Sequence, residues 1–250
     1  MIPDDTHLLI GSLAQSGWRK ARGFCQFRQD NRPYIALHVG AQRPVAEESG
    51  DGSGAALSQC SYERMKQMKH FPFLTIDSAP EASKHALRDL QSAFGMIPNV
   101  AGTMATSPVL INSLVGLFGR VHGGSFTEAQ LQTLLLTNAV TNAANWAVAF
   151  HSALALKEGL TPADVEAIRA GRSPKDGKLG ALSTLARTLI ESRGRIDDQV
   201  AEQFLAAGFG MDHLLEVIAV AAASTITNYT ANVTDPPLEK QFQAHAWVGG

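Results

Sequence analysis

The sequence predicts an all-α protein, and three observations support that prediction. From Asp77 to the C-terminus, apolar residues recur at spacings of three and four, helix caps and terminal glycines follow one another at short intervals, and strand-type alternation is missing from this part of the sequence. Such periodicity is typical of amphipathic helices that pack around a shared core. We therefore expect a compact helical domain over residues 65–250.

The first two helices are predicted from their start and stop signals. The run Ser78–Glu81 is typical of a helix start, and apolar residues at helical spacing follow it to Phe94, just before Gly95. Ser107-Pro108 predicts the start of a second helix, in which apolar residues repeat at the same spacing until it ends near Gly123-Gly124. Each of these helices therefore has one apolar face to bury.

The remaining helices are predicted in the same way. Thr127, with Gln130 three residues later, has the pattern of a capping box and begins a long apolar segment through Val140. A cap residue or a terminal glycine marks each further helix. We expect these helices from Thr161-Pro162 to Gly171, from about Gly180 to Arg193, from Asp197 to Ala207, and from Asp212 to about Tyr229.

Residues 1–64 lack this periodicity. Pro, Gly, Ser, Arg and acidic residues are scattered through them, and the run 47–54 is typical of a flexible linker. The stretch Pro33–Val39 has the composition of a strand but no partner strand to pair with. We expect a disordered extension, or an upstream extension of a reading frame that starts near Met65 or Met68, and the alternative is a small accessory domain.

The composition argues against several classes of partner. The formal charge of −2 is spread along the chain, and no Lys/Arg cluster is interleaved with aromatic residues, so we expect no nucleic acid partner. The longest apolar stretch, Leu214–Ile226, contains Glu216 and is too short to cross a bilayer, so we expect a buried core helix and no membrane partner. The acidic N-terminus does not suit a secretory signal, and two cysteines, Cys25 and Cys60, cannot form a disulfide framework. We therefore expect a cytoplasmic protein.

No cofactor and no metal are expected from the sequence. The histidines are scattered, and no carboxylate stands three or four residues from His151, where a metal-binding helix would carry its second ligand. Neither a phosphate loop nor a dinucleotide-binding glycine motif follows any strand.

One stretch of the sequence carries a specific resemblance. Asn142–His151 reads Asn-Ala-Ala-Asn-Trp-Ala-Val-Ala-Phe-His, and Gly159–Asp164 reads Gly-Leu-Thr-Pro-Ala-Asp. In outline this resembles the core motif of the carboxymuconolactone decarboxylase and alkylhydroperoxidase D-like (AhpD-like) family, Asn-x-Cys-x-x-Cys-x-x-x-His followed by a Gly-Leu-Ser/Thr-x-x-Glu/Asp helix start. Flanking segments also fit the family's pattern in the same order, so the resemblance covers about residues 73–242. These segments are Phe94–Asn99, Ser107-Pro108, Ala207–Phe209, Glu216–Ile218 and Asn228.

The resemblance implies a helical AhpD-like domain, peroxide reduction of the peroxiredoxin type, and a homo-oligomer. It also places the candidate site. Ala144 and Ala147 stand at the two cysteine positions, His151 stands at the histidine, and Gln132 stands where thiol-active members carry a glutamate. Glu128, one helical turn earlier, is a second candidate for that carboxylate. The resemblance therefore implies His151, Gln132 and Glu128 as the candidate catalytic residues.

The two alanines remove the family's redox chemistry from this position. In the family, the histidine and the glutamate relay a proton away from one thiol, the thiolate attacks the peroxide, and the second thiol closes a disulfide. An alanine methyl group neither ionises nor accepts oxygen, so this cycle cannot run on Ala144 and Ala147. Cys25 and Cys60 fall in the N-terminal segment and lack the paired spacing.

The candidate residues can meet only if the chain bends between them. A straight helix would hold Gln132 and His151 roughly 28 Å apart. Asn142 and Asn145 are poor helix formers within this segment, and we expect a bend there that returns the chain toward Gln132.

Three residues also have purely structural interpretations. His151 has the alternative of a half-buried histidine with one ring nitrogen bonded to a carbonyl. His122 precedes two glycines, and we expect it to cap the end of a helix. Trp146 either packs in the core or forms one wall of a small pocket.

The sequence leaves three functions open, and with them the question of whether the protein is an enzyme. The first is peroxide reduction. The second is an acid–base reaction like that of the decarboxylase branch, in which His151 moves the proton and Gln132 or Glu128 orients the substrate or the imidazole. The third is a catalytically silent homologue that binds a small molecule or forms an oligomer. Helices 131–140 and 214–226 favour an oligomer, because they offer more apolar surface than one small domain easily covers.

Overall fold

The computed structural model describes residues 71–249, and the predicted all-α class is confirmed, because no strand occurs among them. The predicted N-terminal extension 1–64, with Cys25, Cys60 and the strand-like stretch Pro33–Val39, lies outside the described residues. The described residues form nine α-helices and one 3-10 helix, which are α1 (Glu81–Phe94), α2 (Asn99–Met104), α3 (Pro108–Val121), α4 (Glu128–Thr141), α5 (Asn145–Lys157), α6 (Pro162–Arg169), α7 (Gly177–Glu191), α8 (Asp198–Ala206), α9 (Met211–Thr234) and the 3-10 helix Lys240–His245.

The helix ends follow the signals in the sequence. α1 ends at Gly95, whose φ of 71° lies in the left-handed region. At the start of α4, the Thr127 hydroxyl accepts a hydrogen bond from the Gln130 backbone N–H, and the Gln130 side chain accepts one from the Thr127 N–H. The predicted capping box is therefore confirmed. The carboxylate of Asp197 caps α8 in a similar way, by accepting from the Val200 N–H.

The sequence pattern does not predict α2, the 3-10 helix or the end of α9. α2 has six residues, too few to show an apolar period, and it is held by the burial of Val100–Met104. α9 continues past Tyr229 to Thr234. Its last turns contain threonine and asparagine, which are weak helix formers, and the buried side chains of Ala231 and Thr234 hold them against the domain.

The core is built around α4. Every residue from Leu131 to Ala139 is buried, and α4 packs against α5, α6, α7 and α9. Leu136 belongs to the apolar cluster shared with α1, α3 and α5, while Leu135 belongs to the cluster shared with α7, α8 and α9. A helix covered on all sides is the centre of a domain. The expectation that segment 131–140 offers uncovered apolar surface is therefore wrong.

α9 is buried along one face only. Val217, Val220 and Ala223 are completely buried against the second cluster. By length and composition α9 is able to cross a membrane, but half of its apolar stretch is buried inside the domain, as in the core helix of a soluble protein. The opposite face carries exposed apolar side chains, here called the outer stripe of α9, at Met211, Leu215, Ile218, Ala222, Tyr229 and Val233.

Candidate functional site

A tight turn folds α5 back along α4. The backbone N–H groups of Ala143 and Ala144 donate to the carbonyls of Val140 and Ala139 at 3.0 and 2.9 Å. These two bonds form a Schellman motif, in which Ala143 takes the left-handed position with a φ of 49°. The bend expected near Asn142 is therefore confirmed, and it runs the two helices side by side.

The turn brings Gln132 of α4 to His151 of α5. His151 Nδ1 lies 3.0 Å from Gln132 Oε1, although the two residues are 19 positions apart in the sequence. Because an amide oxygen only accepts hydrogen bonds, Nδ1 donates to Gln132 and Nε2 keeps its lone pair. Gln132 therefore sets both the orientation and the tautomer of the imidazole.

His151 is buried rather than half-buried, and its exposed fraction is 4%. The expected carbonyl partner is the side-chain amide of Gln132. Burial lowers the pKa of His151 from its ordinary value of 6.5 to about 3, and the nearby charge of His122 adds to this shift. The imidazole is therefore neutral at physiological pH and is a weak proton acceptor.

The alanines at the family's thiol positions lie in the first turn of α5. Ala144 is the N-cap residue of α5 and Ala147 lies three residues later. Both side chains are completely buried. The N-terminus of a helix lowers the pKa of a thiol, so the fold still offers a position suited to a thiolate, which the methyl group of Ala144 does not use.

Glu128 lies one turn before Gln132 but contacts a different histidine. Its Oε1 is 3.1 Å from Nδ1 of His122, which has the predicted C-cap position of α3 but directs its imidazole to Glu128. The structure thus brings Gln132 to His151 and Glu128 to His122. Within residues 71–249, no three His, Cys, Asp or Glu side chains are grouped so that they could hold a metal ion.

An aromatic cluster connects His151 to the start of α5. The Trp146 indole stacks on the ring of Phe150, with 4.9 Å between ring centroids. Phe150 in turn meets the His151 imidazole edge-on at 5.3 Å. Phe94 and Phe242 pack against the remaining edges of Phe150. One wall of the site is therefore apolar and aromatic, and it covers one side of His151.

The segment after α9 closes over this aromatic cluster. Glu239 anchors it, because its carboxylate accepts from the Trp146 Nε1–H at 2.9 Å and from the Asn99 backbone N–H at 2.6 Å. Arg169 of α6 anchors its far end by donating to the backbone carbonyls of His245 and Ala246. The C-terminal segment is therefore a fixed part of the site.

A cleft of about 650 Å³ lies at the α4–α5 turn. Its walls come from the α4–α5 turn, the end of α9 and the C-terminal segment. Ala143 and Asn145 line the cleft, whereas Ala144, Ala147 and His151 are buried and do not line it. Its lining includes Ala143, Trp146, Asn232, Asp235, Gln243 and Trp247.

Sequence reasoning identified part of this site and missed the rest. Trp146 fulfils both of its expected roles, since it is buried in the core and also lines the cleft. Asp235, Trp247 and Glu239 were missed. They stand about 90 or more positions from the α4–α5 turn, and no local motif marks them. The left-handed conformation of Asp235, with a φ of 45°, is a signal visible only in the structure.

The comparisons with known proteins show a similarity of fold. No family model and no curated protein matches the sequence. A peroxidase-related protein from Ralstonia eutropha JMP134, described as an alkylhydroperoxidase AhpD core, matches with a TM-score of 0.62 and 16% identity, over 69% of this chain and 93% of that one. A peroxidase-related protein from Silicibacter sp. TM1040 matches with a TM-score of 0.60 and 15% identity, over 71% and 95%.

The debrominase Bmp8 has the same fold. It matches with a TM-score of 0.60 and 16% identity, over 70% of this chain and 95% of that one. A cysteine-to-alanine variant of Bmp8 is known in complex with 2,3,4-tribromopyrrole. The chain described here therefore has the AhpD-like fold, and the resemblance drawn from its sequence is confirmed at the level of the fold.

Proposed function

We propose that this chain binds a small organic molecule in the cleft at the α4–α5 turn and does not run the thiol peroxidase cycle. The observation that carries the proposal is the cleft of about 650 Å³ at the α4–α5 turn, where Ala143 and Asn145 line it on either side of Ala144 in the sequence. Cavities of roughly 300–1,000 Å³ with aromatic walls and a few polar groups are typical of small-molecule sites. The family's thiol positions hold buried methyl groups that do not line this cleft, so a ligand bound in it would meet no sulfur that reduces peroxide.

Two features support a bound ligand of this size. The cleft walls are fixed, because Glu239 ties the C-terminal segment to Trp146 and Asn99. A preformed site loses less free energy on binding than one that must first become ordered. In addition, a variant of Bmp8, a protein of the same fold, is known with a small aromatic molecule bound.

A second candidate function is proton transfer of the decarboxylase kind. The contact between His151 Nδ1 and Gln132 Oε1 favours it, since an oriented imidazole with a free Nε2 is the arrangement that general base catalysis requires. The low pKa of His151 weighs against it, because the neutral ring accepts a proton poorly near pH 7. Turnover of a lactone carboxylate that is lost in a His151→Gln variant would favour this candidate.

Peroxide turnover tests the proposed absence of the thiol cycle. We expect the unmodified chain to consume an organic hydroperoxide only at the background rate in the presence of a dithiol reductant. We expect the double variant Ala144→Cys, Ala147→Cys to form a disulfide across the first turn of α5 and to gain peroxide turnover. Adding Gln132→Glu should raise this turnover further, because a glutamate accepts the thiol proton.

The matched control is the variant Ala144→Ser, Ala147→Ser, which adds polar atoms of similar size without redox chemistry. It should stay at the background rate. Enzymatic peroxide reduction by the unmodified chain, retained after Cys25→Ser and Cys60→Ser, would overturn the proposal.

A further inference from the structure

We propose that the cleft selects an organic cation, meaning a ligand that joins a protonated amine or quaternary ammonium group to an apolar body. The inference rests on the ligand-binding function proposed above and specifies the chemical class of the ligand. It is carried by the charge and the hydrogen-bonding groups of the cleft walls.

The negative end of the cleft lies where α9 ends. Asp235 directly follows the last residue of α9 and lines the cleft with an exposed carboxylate. The last carbonyls of a long helix carry the negative end of the helix dipole. α9 has 24 residues, so its C-terminus and the carboxylate of Asp235 add their negative potential in the same place.

The amide side chains of the cleft leave acceptors for a cation. Asn232 Nδ2 donates to the Asn142 carbonyl at 2.9 Å, and Gln243 Nε2 donates to the Leu238 carbonyl at 2.8 Å. One hydrogen of each amide NH2 group is bonded to a carbonyl, which fixes the amide in place, and the oxygens of Asn232 and Gln243 are acceptors that an ammonium group can use. An ammonium group supplies the matching N–H donors.

The two tryptophans suit the same ligand. Trp146 and Trp247 both line the cleft, and the face of an indole attracts a cation more strongly than any other aromatic side chain. One face of the buried Trp146 is stacked on Phe150, so the half-buried Trp247 offers the larger open surface. The carboxylate of Glu239 accepts from the Trp146 indole N–H and places a further negative charge at the edge of that ring. The apolar body of the ligand is expected to pack on the same rings.

Positive charge is kept away from the inner surface of the cleft. Among the described residues, none of those lining it is a lysine, an arginine or a histidine. Arg169 does not line the cleft, although it donates to the carbonyls of His245 and of the lining residue Ala246, and its guanidinium pairs with Glu166 at 3.1 Å. A carboxylate ligand would therefore meet Asp235 without a compensating cation.

Backbone strain is concentrated on this cleft. Three described residues other than glycine have a positive φ, and two of them, Ala143 and Asp235, line the cleft. Such strain costs free energy and is found preferentially at binding sites, where it holds a side chain in place for a ligand. At Asp235 the left-handed C-cap conformation belongs to the residue whose carboxylate the proposal assigns to the cation.

The test uses three soluble probes that share one phenyl body and differ in charge, phenethylamine, phenethyl alcohol and hydrocinnamate. Each is titrated into the full chain at neutral pH, and binding is followed by NMR through the indole N–H signals of Trp146 and Trp247, assigned with Trp→Phe variants. We expect phenethylamine to bind about tenfold more tightly than the alcohol, and hydrocinnamate to bind most weakly.

The variant Asp235→Asn tests the charge without disturbing the backbone, since asparagine tolerates the left-handed conformation. It should weaken phenethylamine several-fold and leave phenethyl alcohol unchanged. Asp212→Asn, a change to an exposed carboxylate at the other end of α9, is the matched control and should change neither affinity.

The possible outcomes separate the two proposals. Equal binding of the amine and the alcohol, or an Asp235→Asn variant that binds phenethylamine normally, overturns the selection for a cation and leaves the ligand-binding function standing. If no probe shifts either indole signal at millimolar concentration, the ligand-binding function itself is overturned, and with it this inference.

Discussion

At the scale of single residues, His151 combines a preserved orientation with a changed chemistry. Gln132 holds Nδ1 as a glutamate would, at 3.0 Å. An amide, however, carries no charge to stabilise the imidazolium, and burial lowers the pKa of His151 to about 3. The ring therefore keeps the geometry of a proton relay while its protonated form is strongly disfavoured.

The low pKa of His151 predicts a specific pH dependence of stability. In the unfolded chain the imidazole binds a proton below its ordinary pKa of 6.5, whereas in the folded chain it binds one only near pH 3. The unfolded state thus carries the extra proton between these values, so stability falls as the pH is lowered from 6.5 toward 3. The contribution approaches about 1.4 kcal/mol per pH unit.

Chemical denaturation between about pH 4 and 6 measures this contribution. The His151→Gln variant removes the titrating group and should show a shallower loss of stability than the unmodified chain, although carboxylates titrate in both. Equal slopes for the two proteins would mean that the folded imidazole protonates at an ordinary pH.

At the scale of helices, α4, α5 and α6 end in the same way but with different residues. Each ends in a paired set of backbone bonds with one residue in the left-handed region. Glycine takes that place after α5 and α6, at Gly159 and Gly171, whereas Ala143 takes it after α4. α7 ends in the same way with Arg193 in the left-handed position, so the helix end beside the cleft is one of two such ends that carry this strain among the described helices.

This comparison predicts that Ala143→Gly stabilises the protein. A Cβ atom in the left-handed region costs roughly 1 kcal/mol, and glycine removes that cost. We expect the free energy of unfolding to rise by up to about 1 kcal/mol, measured by denaturant titration. The reverse change Gly171→Ala, at a φ of 70° with open space around the added methyl group, is the matched control and should lower it by a similar amount. A loss of stability in Ala143→Gly would contradict the assigned strain.

At the scale of the whole molecule, the sequence predicts what depends on neighbours along the chain. The helices, the Thr127 capping box and the bend near Asn142 follow from local signals, and the bend was enough to expect Gln132 near His151. The cleft does not follow, because Glu239 meets Trp146 across 93 positions and meets Asn99 across 140. Such contacts depend on how the helices pack, which no short motif specifies.

The outer stripe of α9 bears on how whole molecules associate. Met211, Leu215, Ile218 and Ala222 are exposed at alternating spacings of four and three, the pattern with which one helix packs along another. Ala222 is small enough to let two helices approach closely. An apolar groove of about 300 Å³ lies beside Ile218 and Ala222, lined also by Leu189. The stripe thus offers both protruding side chains and a depression to receive them.

We propose that two copies of the chain pack through this stripe, because an isologous helix pair buries the same exposed residues on both partners. Light scattering at micromolar concentration should then report at least twice the subunit mass of 26.7 kDa. The variant Leu215→Lys, Ile218→Lys places like charges opposite each other and should shift the protein to a monomer without a loss of helicity. Val109→Lys changes a residue of α3 that is 79% exposed and lies off the stripe, so it should remain associated. A mass of 26.7 kDa for the unmodified chain would contradict the proposal.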